Sequence, residues 1–212
     1  MRRFRSFRRC LPLGTLLLLP GCFGGSSDFG PPDIDASGAG AEAIEMYDTN
    51  GDSALSGDEL EKVPSLKSAI QRIDADGDGR VTAAEIADRV EQWQEVGLGT
   101  MAVRMTVYLD GSPLADATIT FEPEPFLGED VQTAIGTTGP DGSAEMSIPK
   151  KKRSAPDAPP GVNFGLYKVR ISKEDGGEQV PAKFNTATTL GQEVAFDAPV
   201  VKQGIVLKLS SR

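Results

Sequence analysis

Four acids fall within twelve residues at "DADGDGRVTAAE", positions 74 to 85. Asp74, Asp76 and Asp78 alternate with other residues, Gly79 follows, and Glu85 closes the stretch. Alternate carboxylates on a tightly turning backbone converge, and their oxygens suit a hard cation. Acid–base hydrolysis needs a different layout, two acids held apart across a cleft, and no motif in the chain sets out such a pair. A second stretch, "DTNGDSALSGDE" at 48 to 59, repeats the spacing upstream. We call 48–59 the first loop and 74–85 the second.

The second loop fits the EF-hand pattern D-x-[DN]-x-[DN]-G-x5-E at every position. Calcium takes about six to eight oxygens, and this spacing supplies them. Asp74, Asp76 and Asp78 stand at positions 1, 3 and 5, Arg80 offers a carbonyl at 7, Thr82 acts at 9, and Glu85 stands at 12. In the first loop the same roles fall to Asp48, Asn50, Asp52, Ala54, Ser56 and Glu59. Position 6 there is Ser53, not glycine. A non-glycine residue held at positive φ costs about 1 kcal/mol. The first loop also offers one ligand carboxylate fewer. It is expected to be the weaker site.

The flanking residues read as short helices over 41–97. Ile44 and Tyr47 precede the first loop, and Leu60 and Val63 follow it. Leu66, Ile70 and Ile73 precede the second, and Ile86, Val90 and Trp93 follow it at helical spacing. These stripes predict a small shared core for the helical pair. The loops start 26 residues apart, so "VPS" at 63–65 must join two short helices tightly. Leu55 and Val81, at position 8, predict a short bridge between the loops. Gly97 reads as a helix cap.

From Ala102 the period changes to two. "AVRMTVYL", "ATITFE", "VQTAIGT", "SAEMSI", "GLYKVRIS", "EVAFD" and "GIVLKLS" read as about seven short strands, with "DG" at 110–111 as a hairpin turn. The expected fold class is multidomain α + β, an EF-hand helical pair followed by an all-β sandwich over 101–212. "LDGSPLADATITFEP", "GTTGPDGSAEMSIP" and "GLYKVRIS" resemble the carboxypeptidase regulatory-like, or transthyretin-like (prealbumin-like), domain. That resemblance implies a recognition or structural module for a cell-surface protein or a glycan. One relative in that family, a hydroxyisourate hydrolase, uses histidines and a terminal Tyr-Arg-Gly-Ser. This chain has no histidine and ends in "LSSR", so no enzyme activity is expected.

Residues 1–21 read as an export signal, with five arginines ahead of the apolar run Leu11 to Leu19. "LLPGC" at 18–22 resembles the lipobox of bacterial lipoproteins. The resemblance implies lipidation of Cys22 and a membrane anchor on the outer or periplasmic face of the cell envelope. Residues 22–40, rich in Gly, Ser and Pro, read as a flexible tether. The complete layout resembles small lipoproteins of planctomycete-type bacteria. Cys10 and Cys22 are the two cysteines, and with Cys10 inside the signal no disulfide framework is expected. The lack of histidine argues against zinc.

The chain of 212 residues carries a net charge of −9. That balance lacks the basic footprint of a nucleic-acid binder. An exported protein meets abundant calcium, for which affinities of about 10⁻⁴–10⁻³ M suffice. Calcium is therefore expected to brace the fold rather than signal. The alternative is a dockerin-like, calcium-dependent adaptor for another surface protein, although both loops carry glutamate where dockerins usually carry aspartate at position 12. The basic run "PKKKR" at 149–153 reads as a solvated loop.

Overall fold

A computed structural model describes residues 30–155, 157–173 and 180–212. The signal stretch, Cys10, Cys22 and the first part of the tether lie outside the described residues.

Helix α1 (Ala36–Tyr47) starts at Asp35, whose carboxylate accepts from Gly38 N at 3.0 Å. The stretch expected as a tether over 22–40 thus contains the start of α1. Ile34, Ala39 and Ala43 are buried. A Cβ on Gly40 would lie 2.1 Å from Ala83 O. Glycine and alanine read as linker residues in sequence. Here they let α1 cross close to the helix that follows the second loop.

Strand β1 (Ala54–Leu55), α2 (Gly57–Lys62), α3 (Pro64–Ile73), β2 (Val81–Thr82) and α4 (Ala83–Glu95) complete the helical segment. Val63 separates α2 from α3, and Pro64 opens α3 where a missing N–H costs nothing. α4 ends before Gly97, at φ +70°, whose N–H donates to Gln94 O at 3.0 Å.

The rest is β-rich. β3 (Val103–Leu109) buries Val103, Met105, Val107 and Leu109 and turns outward between them, as its alternation predicts. Asp110 and Gly111 both take positive φ and turn β3 into β4 (Ser112–Pro113). β5 (Thr118–Pro123), β6 (Ala134–Thr137), β7 (Ser143–Met146), β8 (Gly165–Ser172), β9 (Gly191–Val194), the short helix α5 (Pro199–Gln203) and β10 (Ile205–Leu209) follow. One four-stranded sheet has the order β6-β5-β8-β9. The other joins β3 to β4, β7 and β10, with β10 parallel to β3. An isolated bridge from Ile135 to Ser147 links the two sheets. Among the described residues the strands do not close into a barrel.

The sequence expects a strand at "EVAFD", 193–197, but β9 begins two residues earlier. Gly191 is the reason. A Cβ there would lie 2.0 Å from the Pro64 carbonyl carbon, so β9 passes against the start of α3 with only a hydrogen between them. The expected separate core of the helical pair is also corrected. Leu66, Ile73, Val90 and Trp93 belong to one apolar cluster with Val169, Ile171 and Val194 of the β region. Apolar stripes at helical spacing specify a buried face, not what covers it.

Candidate metal centre

The two loops lie back to back across a two-residue antiparallel ladder. Leu55 faces Val81 and Ala54 faces Thr82. Leu55 and Val81 are fully buried, so position 8 of each loop anchors the ladder in the core.

In the second loop Asp74 caps the end of α3. Its carboxylate accepts from Gly77 N at 2.7 Å, Asp78 N at 3.1 Å and Gly79 N at 2.8 Å. Asp76 accepts from Asp78 N at 3.1 Å, and Asp78 accepts from Arg80 N at 2.8 Å. These bonds wind the backbone inward. Gly77 and Gly79 sit at φ +74° and +83°, which glycine adopts without strain. The result brings one oxygen each from Asp74, Asp76 and Asp78 within 4.8 Å of one another. Glu85 reaches back from the first turn of α4. It accepts from Ala75 N at 3.0 Å and from Thr82 N at 2.8 Å, and the Thr82 hydroxyl donates to it at 2.9 Å. Thr82 Oγ1 in turn accepts from Glu85 N at 3.3 Å, the reciprocal cap of a helix start. Position 12 is thus tied to position 2 across the loop, and Glu85 stands outside the close group of the three aspartates.

The first loop repeats this winding. Asp48 accepts from Gly51 N at 2.7 Å and Ser53 N at 2.9 Å. Asn50 accepts from Asp52 N at 2.9 Å, and Asp52 accepts from Ala54 N at 3.1 Å. Glu59 accepts from Thr49 N at 2.8 Å, Ser56 N at 3.2 Å and Asn50 N at 3.2 Å. The backbone N–H of Thr49, then that of Ser56, holds its carboxyl below the usual glutamate range. Ser53 sits at φ +65°. Two differences separate the loops. Position 3 is Asn50 where the second loop has Asp76, so one acid is missing from the set that converges in the second loop. Arg80 also leans across, its guanidinium 3.0 Å from Asp52 Oδ1. The Arg80 side chain therefore acts on the first loop, a contact that the spacing within either loop does not reveal.

All the contributed side chains are oxygen donors without histidine or thiolate, which suits a hard divalent cation of the calcium type. The EF-hand family model matches residues 66–88. The matched stretch runs from α3 through the second loop into α4, and the first loop lies outside it. None of the curated proteins and none of the solved structures matches the chain. The match and the aspartate-rich loop together point to calcium binding.

Two buried carboxylates of the β region escaped the sequence reading. Glu124, after β5, is fully buried and accepts from the Ser65 hydroxyl at 2.6 Å and the Tyr47 hydroxyl at 3.3 Å, with Lys168 Nζ at 3.4 Å. Burial pushes its carboxyl up, against the pull of Ser65 and Lys168. Glu193, on β9, is fully buried among Arg72, Arg89 and Trp93. Tyr47 and Arg72 stand one and two residues ahead of the opening aspartates of the two loops. "EPEP" and "GQEV" carry no local signal of this, because the partners are distant along the chain, Ser65 by 59 residues and Arg72 by 121.

The basic run at 149–153 forms a 3-10 turn, Lys150–Lys152, whose lysine side chains lie toward solvent. Arg153 folds back to donate to Ile148 O at 3.0 Å. Among the described residues no helix is long and apolar enough to cross a membrane.

Proposed function

We propose that this chain is an exported, lipid-anchored calcium-binding protein. The ion braces the helical segment, and the β region is a transthyretin-like recognition or structural module without catalysis of its own. The observation that carries the calcium reading is the convergence of Asp74, Asp76 and Asp78 inside a stretch that matches the EF-hand family. The brace is supported by the packing. The apolar face of α3 is covered by β8 and β9 and that of α4 by α1 and the shared core, so little surface is left for a calcium-exposed groove or for an adaptor. The two four-stranded sheets and the "LDGSPLADATITFEP" stretch support the transthyretin-like reading. The Arg-rich start and Cys22 support export and anchoring.

The test is a calorimetric calcium titration of the full chain, with thermal melts in calcium and in chelator. Two unequal sites and a higher melting temperature in calcium are expected, because a ligand that binds only the folded state stabilises it. Heat-silent titration and identical melts up to millimolar calcium would exclude the calcium reading. Fatty-acid labelling that survives Cys22→Ser would exclude the anchor.

A further inference from the structure

The two helices that flank the second loop converge on one carboxylate outside it. α3 enters the loop and carries Arg72, whose Nε donates to Glu193 Oε2. α4 leaves the loop and carries Arg89, whose Nε donates to Glu193 Oε1 at 2.6 Å. Trp93, one turn further along α4, donates to the same oxygen at 3.2 Å. Arg89 also grips Asp197 through both terminal nitrogens, at 3.0 and 2.8 Å. The Arg89 side chain is 3% exposed and that of Glu193 is 0% exposed.

We propose that Glu193 is a positioning residue for the second calcium loop: from β9 it sets the separation of α3 and α4, and through them the affinity of the loop for the divalent cation. The inference rests on the calcium reading above. Asp74 follows Arg72 by two residues and caps the same helix. Glu85 lies four residues before Arg89, on the same face of α4. Positions 1 and 12 of the loop are therefore each mounted within about one turn of an arginine that Glu193 holds. Glu193 is the counter-charge between the two guanidinium groups. Without it they repel in a water-poor site and drive the two helices apart. Calcium-driven opening of such a helix pair requires two accessible arrangements, and a shared buried carboxylate favours one.

The experiment compares the wild-type full chain with Glu193→Gln, Glu193→Asp and the exposed control Glu145→Gln. Calcium affinity is read by calorimetry, and melting temperature is read in calcium and in chelator. Glu193→Gln is expected to weaken the tighter site at least about fivefold, the lower end of the coupling between distant sites, and to shrink the calcium-dependent rise in melting temperature. Glu193→Asp is expected to restore part of both, and Glu145→Gln to change neither. A residue with only a structural role would lower both melts alike and leave the calcium increment intact, and that result overturns the proposal. So does wild-type affinity in a folded Glu193→Gln. Should Glu193→Gln fail to fold, Arg72→Gln at the rim of the cluster takes its place, with a smaller loss of affinity expected and unchanged affinity again overturning the proposal. Absence of binding by the wild type removes the calcium reading itself, and is thereby distinct from failure of the clamp alone.

Discussion

The two acidic loops share one template, which the second meets at every position and the first does not. Both wind around an opening aspartate, both lean on a glutamate at position 12, and each supplies one strand of the ladder that joins Leu55 to Val81. The second loop has Gly79 at positive φ and three aspartates drawn together. The first holds Ser53 at φ +65° in the same place, replaces one acid by Asn50, and has Arg80 beside Asp52. Every departure should weaken the first loop for a cation. The backbone scaffold of a loop can therefore persist when its ligand set is thinned, because hydrogen bonds within the loop and the buried ladder maintain it.

Changes of charge and conformation should widen or erase this difference. The largest effect is expected from Glu85→Gln, which removes the charge of position 12 and leaves a single carbonyl oxygen there. It should weaken the second site by about 100-fold, about 2.7 kcal/mol, and leave the first as the tighter of the two in a calcium titration. If Glu59→Gln instead removed the tighter site, the assignment of strong and weak loops would be reversed. Ser53→Gly is expected to relieve about 1 kcal/mol of backbone strain and to tighten the first site about fivefold. Equal affinity before and after would show that the left-handed turn is not what limits that loop. Arg80→Met should remove the cation beside Asp52. An exposed pair of this kind is worth less than about 1 kcal/mol, so a two- to threefold gain at the first site is expected, with no change at the second.

The smallest effect concerns pH. The hydrogen bonds from Arg89 hold Asp197 below the usual aspartate range. A depressed folded-state pKa stabilises the fold above the ordinary value of about 4, and that share is lost as the pH falls through the depressed value. Asp197 is 37% exposed in its side chain, so solvent screening limits the share to under about 1 kcal/mol. Asp197→Asn should flatten the acid limb of a plot of unfolding free energy against pH by that amount. A limb as steep as that of the wild type would assign the acid sensitivity to other carboxylates.

Much of the site was legible because it is local. Twelve residues contain the ligands, the turn glycine and the closing glutamate, and Thr82 and Glu85 form their own cap three residues apart. Strands β3, β5, β6, β7, β8 and β10 were legible, as was the hairpin turn at Asp110 and Gly111, whereas the two-residue β4 was not. The second half of α1 was legible within 41–97, but its start at Ala36 was not, because Ala39 and Gly40 carry little apolar signal. The start of β9 was not legible either, since its register is set by the close approach of Gly191 to Pro64, far away in sequence.

Residue types and short-range spacing were enough to specify two acidic twelve-residue loops, their inequality at position 6, and the change from helical to extended chain near residue 100. Those properties depend on contacts between residues a few positions apart, where backbone geometry leaves few choices. The tertiary structure alone decided that the helices and sheets share a single core, that Arg80 serves the opposite loop, and that Glu124 and Glu193 are buried between the two regions. A carboxylate reads as solvent-exposed until partners from distant segments surround it, and only the folded chain brings Arg72, Arg89 and Trp93 to Glu193.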